Sequence, residues 1–232
     1  MKYTRQLLNG AELNSIRQLI PDIDWVDGLN TTHFISREMK KNVEANVQCP
    51  AYAQIVQILM AAVNRDTELQ VRTVMKDSKS LIISKMSAGG YYKPHQDDWQ
   101  MGDYSTTIFL SDQYEGGELL VEDETYKLPI GSAVTYESGL SHSVSPVKSG
   151  DRIVAVFWTN SIFKDPSIRA ACSDLARAAS ILGVPQPETI TDCNSDAAFL
   201  VSKAFTNLMR RYGKWSTQES FSVIINLPIF VN

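Results

Sequence analysis

His95 and Asp97 stand two residues apart in Tyr91-Tyr92-Lys93-Pro94-His95-Gln96-Asp97-Asp98-Trp99, a stretch that reads as extended backbone. In a strand, residues i and i+2 share a face, so an imidazole nitrogen and a carboxylate oxygen would converge on one point. Those are two of the three donors of a facial non-haem iron site. His142 comes later, beside a turn in a strand-rich region. A sheet folded back on itself would bring it opposite the His95–Asp97 strand, with three positions left open on a metal. Ser149-Gly150-Asp151 then turns the chain, so Arg152 is expected to return antiparallel to His142 and point into the same cavity. A guanidinium there suits the far carboxylate of a dicarboxylate ligand, through paired charge-assisted hydrogen bonds.

Neighbouring residues carry less. Strand alternation points Asp98 away from Asp97. His33 has no carboxylate at ligand spacing and reads as structural or exposed. Trp99 reads equally as cavity lining or as packing, and Gly116-Gly117 reads as turn chemistry alone. The same two histidines and aspartate would also serve a zinc hydrolase, whose metal-bound water attacks an ester or amide. A non-catalytic metal-binding module is a third reading, because function resides in the site rather than the fold. Arg152 discriminates among them: it suits a dicarboxylate ligand, and water activation requires no such cation.

The 232-residue chain, with 44% hydrophobic and 21% charged residues, has the composition of a globular protein. A net charge of −4 argues against a general nucleic-acid binder. No apolar run reaches the length needed to span a bilayer, and the N-terminus lacks a signal-peptide pattern. Cys49, Cys172 and Cys193 are odd in number and lack C-x-x-C spacing, so a reducing cytoplasmic setting is expected. Oligomeric state is not legible.

The elements that must position the site read as follows. The start reads as an amphipathic helix, with Asn9 as cap, Glu12 at the third helical position and Pro21 as the stop. The polar stretch from Ser36 to Asn46 reads as a solvated face. A second helix is expected from about Pro50 to Asn64, with Ile55, Leu59, Ala62 and Val63 on its buried stripe. From residue 70 the period changes, with strands expected at 81–86, 91–97, 105–110, 118–122, 133–136, 142–147 and 152–158. Short strands at nearly even spacing argue for an antiparallel sandwich or jelly roll. Helices return after Asp165-Pro166, on a stripe of Ile168, Cys172, Leu175, Ala179 and Leu182, and again from Ser195. The tail from Phe221 to Val231 reads as an edge strand. The fold class is thus α+β, divided as a helical support layer (1–70), a core (71–163) and a helical extension (164–232) packed as one unit.

The order and spacing of His95, Asp97, His142 and Arg152 resembles that of the iron- and 2-oxoglutarate-dependent dioxygenases. Tyr92-x-Pro94-His95-x-Asp97 is similar to the first half of the prolyl-hydroxylase-like metal motif. Leu110-Ser111-Asp112, Gly116-Gly117-Glu118-Leu119, Leu140 to Val147 through Gly150-Asp151-Arg152, and Phe157-Trp158-Thr159-Asn160-Ser161 resemble the PKHD-type hydroxylases. The resemblance runs from about residue 10 to 183, including Trp25-Val26-Asp27-Gly28 and Lys40-Lys41-Asn42. It implies a double-stranded β-helix core that holds Fe(2+) on His95, Asp97 and His142. It also implies that 2-oxoglutarate chelates the iron, with its 5-carboxylate on Arg152. O2 would be consumed, succinate and CO2 released, and a substrate C–H bond hydroxylated, with L-ascorbate as reductant. That substrate is a peptide or protein side chain or a small molecule. Lys85, Met86 and Phe109 stand where related enzymes carry tyrosines that meet 2-oxoglutarate, so Ser105 and Thr107 are expected to supply those hydrogen bonds. Trp158, on the face of Arg152, is expected to pack beside the co-substrate.

Overall fold

The computed structural model describes residues 1–31, 38–182 and 196–213. The chain opens with a strand, β1 (Lys2–Gln6), rather than directly with a helix. Helix α1 (Gly10–Leu19) then starts at the expected cap: the Asn9 side chain accepts from Glu12 N–H, and the Glu12 carboxylate accepts from Asn9 N–H. After β2 (Trp25–Asp27), β3 (Lys40–Lys41) and β4 (Val43–Ala45) comes helix α2 (Pro50–Arg65). Its stripe is the expected one, with Ile55, Leu59, Ala62 and Val63 fully buried. Each larger side chain buried in this way contributes about 1.5–3 kcal/mol.

The following strands are β5 (Met75–Met86), β6 (Tyr91–His95), β7 (Tyr104–Phe109), β8 (Tyr114–Gly116) and β9 (Leu119–Val121). They continue with β10 (Glu124–Tyr126), β11 (Ser132–Glu137), β12 (His142–Val144), β13 (Val147–Gly150) and β14 (Arg152–Ser161). One sheet has seven strands in the order β1-β11-β7-β14-β5-β4-β2, and a second has five in the order β10-β9-β12-β6-β3. A two-stranded ribbon pairs β13 with β8. Pairing is antiparallel at β1–β11, β11–β7 and β4–β5 in the larger sheet, and at β9–β12, β12–β6 and β6–β3 in the smaller. The first seventy residues therefore do more than support the sheets: they contribute strands to both.

The two sheets face each other across one apolar core. Met86, Phe109, Val134 and Val154 come from the larger sheet, and Leu119, Val121 and Val144 from the smaller. Alternation along each strand turns these residues inward. Arg152 and His142 accordingly lie on strands of different sheets, facing each other rather than paired as hydrogen-bonded neighbours.

The chain divides into two compact units, residues 1–63 with 79–158, and 64–78 with 159–232. In the second, α3 (Thr67–Thr73), α4 (Pro166–Ile181) and α5 (Asp196–Tyr212) bury a core that includes Val71, Phe163, Cys172, Phe205 and Met209. Cys172 and Ala179 of the expected stripe are buried, whereas Leu182 is exposed. Helix α3 has no counterpart among the sequence expectations. The expected tail strand at 221–231 and His33 lie outside the described residues.

Candidate active site

Strand β6 ends at His95, so Asp97 does not lie on the strand that was expected to carry both. Other contacts set its position. Asp97 N–H donates to Ser138 O at 3.3 Å, and the Gln96 side-chain amide donates to Gly139 O at 2.8 Å. These bonds tie the segment after β6 to the turn between β11 and β12. Strand β12 pairs with β6, placing His142 directly across from His95 with ring centroids 4.2 Å apart. One donor atom from each of His95, Asp97 and His142 falls within 4.8 Å of the others.

The tautomers follow from the backbone. His95 Nδ1 lies 2.8 Å from Lys93 O, and His142 Nδ1 lies 3.0 Å from Leu140 O. A carbonyl oxygen only accepts, so each Nδ1 carries hydrogen and each Nε2 is the nitrogen left for a metal. The Asp97 oxygens are likewise divided. Oδ2 accepts from Ser105 Oγ–H at 2.5 Å and from the Trp158 indole N–H at 2.9 Å. Oδ1 faces His142 Nε2 at 3.6 Å. Two imidazoles and one carboxylate, each with one donor atom held back by a hydrogen bond and one turned to a common point, fit a ferrous ion.

Electrostatics at the three residues agree with this geometry. Burial first, and then the neighbouring His142, lower His95 to about 4, keeping its ring neutral near pH 7. Burial works against the charged form of His142, but the hydrogen bond and charge of Asp97 outweigh it and raise its pKa. Burial also opposes ionisation of Asp97, but His142, Ser105 and Trp158 together hold the carboxyl below its usual range.

The three residues open on a cavity of about 370 Å³ whose walls include Thr107, Tyr136, Arg152 and Trp158. Arg152, Val154, Val156 and Trp158 alternate along β14 and all face it. Arg152 is 2% exposed, and among the described residues no carboxylate pairs with it. Its Nε–H donates to Gly117 O at 2.8 Å, and the guanidinium carbon lies 5.8 Å from the Phe109 ring centroid. Gly117 has φ +64°, and a Cβ there would come within 3.0 Å of Arg152 Cδ. The glycine pair thus seats the arginine, a task that turn spacing alone did not reveal.

The remaining expected residues separate. Thr107 lines the cavity. Ser105 is fully buried and does not line it: its hydroxyl is occupied with Asp97 and, at 2.8 Å, with Ser138 Oγ. Trp158 lines the cavity and also holds Asp97. Trp99 is 85% exposed and leaves the lining. Tyr136 is one lining residue that sequence reasoning missed. Alternation along β11 turns it inward, a signal that was available but gave no reason to prefer it over other buried positions.

Comparison with known proteins now bears on this site. A family model described as the 2OG-Fe(II) oxygenase superfamily matches residues 81–160. A PKHD-type hydroxylase of Synechococcus sp. (strain JA-2-3B'a(2-13)) is 32% identical over 223 residues, covering 90% of this chain and 96% of that protein. The chain belongs to the PKHD-type hydroxylases. As a PKHD-type hydroxylase it is a 2-oxoglutarate-dependent dioxygenase, and the family implies Fe(2+), 2-oxoglutarate and O2. Its fold is shared with a 2OG-Fe(II) oxygenase family oxidoreductase from Burkholderia pseudomallei, at TM-score 0.55 and 17% identity over 67% of this chain and 83% of that one. A prolyl hydroxylase from Trichoplax adhaerens aligns at TM-score 0.52 and 13% identity, over 68% and 82% of the two chains. No helix among the described residues of this PKHD-type hydroxylase is long and apolar enough to cross a membrane.

Proposed function

We propose that His95, Asp97 and His142 hold the ferrous ion of this hydroxylase and that Arg152 receives the 5-carboxylate of 2-oxoglutarate, within a double-stranded β-helix, or jelly-roll, core. The observation that carries the reading is Arg152: a cation 2% exposed, facing the same cavity as the three ligands, with no acidic partner among the described residues. A buried charge without a counter-charge costs several kcal/mol. A bound dicarboxylate supplies that counter-charge. A zinc hydrolase would use the same three ligands but would leave Arg152 without a task.

When bound, the iron supplies oxygen activation coupled to decarboxylation of 2-oxoglutarate. The protein's residues do the rest. Lys93 O and Leu140 O fix the two histidine tautomers, and Ser105 and Trp158 keep Asp97 Oδ2 occupied so that Oδ1 serves the metal. Thr107 and Tyr136 line the co-substrate end beside Arg152 and take the hydrogen-bonding role first expected of Ser105 and Thr107. Ile82, Leu119, Val144 and Val156 wall the cavity and exclude water from the oxidising centre. L-ascorbate as a reductant and a cytoplasmic setting belong to the same proposal.

The test is anaerobic titration of the protein with Fe(II) and 2-oxoglutarate, following the visible absorption of the chelate. The wild type is expected to form it and, under air, to release succinate. His142→Ala should lose iron binding, whereas Arg152→Ala should retain iron and bind 2-oxoglutarate about tenfold or more weakly. Equal 2-oxoglutarate affinity in wild type and the arginine variant overturns the assignment of Arg152.

A further inference from the structure

The run from Lys40 to Glu44 brings charge into the cavity that neither iron nor 2-oxoglutarate requires. Strand β3 pairs with β6 of the smaller sheet, Lys40 opposite Tyr92, while β4 pairs with β5 of the larger sheet, Glu44 opposite Ser84. This short segment therefore crosses from one sheet to the other. Lys40, Asn42, Glu44 and Ser84 all line the cavity. Lys40 Nζ donates to Glu44 Oε1 at 2.9 Å, and both side chains are only 4% exposed. Asn42 Nδ2 donates to the same oxygen at 3.1 Å and to Ser84 Oγ at 2.9 Å. Lys40 Nζ lies 5.6 Å from the Tyr92 ring centroid, and that ring stacks on His95 at 3.6 Å. One aromatic ring thus separates this polar cluster from the metal ligands.

Burying an ion pair costs several kcal/mol per ion in lost hydration, and apolar residues of similar volume hold a core as well or better. A pair placed on a cavity wall has a further use, because a ligand can restore the hydration it lost. The two polar ends of the cavity also differ in charge. Arg152 has no acidic partner among the described residues and calls for an anion, whereas Lys40 already has Glu44 beside it.

We propose that Lys40, Asn42, Glu44 and Ser84 form the recognition site for the substrate that is hydroxylated. A lysine beside a glutamate selects a group that presents a hydrogen-bond acceptor beside a donor, as an α-amino-acid zwitterion or an amide does. The acceptor takes an N–H of Lys40, which has three donors and keeps Glu44 on another, while the donor meets Glu44 or Ser84. The Glu44 carboxylate beside Lys40 also leaves Arg152 as the stronger attractor for a dicarboxylate, which keeps 2-oxoglutarate out of the substrate position. Sharing about 370 Å³ with 2-oxoglutarate, the substrate end admits a small molecule or a single side chain rather than a folded segment. This proposal rests on the placement of iron and 2-oxoglutarate given above.

The test uses the full chain loaded anaerobically with Fe(II) and 2-oxoglutarate, and two probe sets: the free L-amino acids and their N-acetylated amides. At least one probe is expected to shift the chelate absorption and, under air, to raise succinate release several-fold. A response to the free acids alone identifies the zwitterion, and a response to the blocked set identifies the amide. The double variant Lys40→Met/Glu44→Leu removes both charges together and is expected to melt at or above the wild-type temperature. It should nevertheless bind the responding probe about tenfold or more weakly. A chelate that forms but responds to neither probe set overturns the proposal. So does a double variant that binds the probe as tightly as wild type, which would leave the pair as a structural clasp between the sheets. Absence of the chelate itself instead counts against the iron and 2-oxoglutarate assignment.

Discussion

Asp97 is held by two donors on one oxygen, Ser105 and Trp158, and this decides how it can meet a metal. With Oδ2 engaged at 2.5 and 2.9 Å, only Oδ1 is available on the histidine side. Removing the indole N–H frees the carboxylate to rotate, and outer partners of this kind are worth about 10- to 100-fold in metal affinity. Trp158→Phe is therefore expected to weaken Fe(II) binding by that factor while its ring still fills the wall of the cavity. Competition with Mn(II) in an anaerobic titration measures it, and unchanged affinity would reduce Trp158 to a packing residue. The convergence of His95, Asp97, His142 and Arg152 on one cavity was legible because residue type and order alone nominate them as a candidate set. The orientation of Asp97 was not, because its donors come from two other strands, Ser105 on β7 and Trp158, 61 residues on, on β14.

At the scale of elements, two turns carry testable weight. Gly117, at φ +64° and in tight contact with Arg152, accepts the arginine's Nε–H. Gly117→Ala forces a side chain into left-handed backbone at a cost of about 1–3 kcal/mol. It should lower the melting temperature and weaken 2-oxoglutarate together; loss of stability alone would separate the turn from the co-substrate. Ser145 clasps the other side of the same turn, its hydroxyl donating to the Glu118 carboxylate and accepting from Glu118 N–H at 2.9 Å. The Ser145 hydrogen bond holds Glu118 below its usual value of 4.5. A carboxylate lowered on folding stabilises the fold above its unfolded pKa, and that contribution is lost as pH falls through the folded value. Ser145→Ala should thus melt lower at neutral pH and show a shallower further decline under acid, as thermal melts across pH would record. Helix α2 and the strands β5, β6, β7, β9, β11, β12 and β14 were legible from periodicity and turn residues. The short β3 and β4 were hidden because five residues of mixed polarity have no readable period. Lys40 and Glu44 look like a solvated charge run until pairing with β6 and β5 buries them.

For the whole molecule, every residue named around the cavity belongs to the unit formed by residues 1–63 and 79–158. The helical unit has its own core, in which Phe205 is 4% exposed. Phe205→Ala should destabilise that unit by about 3–5 kcal/mol. Below the lowered melting point, the iron and 2-oxoglutarate chelate should form with wild-type affinity, and a weakened chelate would show that the helices support the site. The sequence by itself determined the donor types, their order and the arginine, because these are properties of side chains and need no neighbours. It also determined α1, α2 and the alternation of the sheet strands, which arise from interactions within a few residues. Only the tertiary structure decided that His142 and Arg152 face each other from different sheets, and that Ser105 serves Asp97 rather than the cavity. It alone buried Lys40 against Glu44. Strand order, sheet packing and burial are long-range outcomes of covering apolar surface, and no local pattern encodes them.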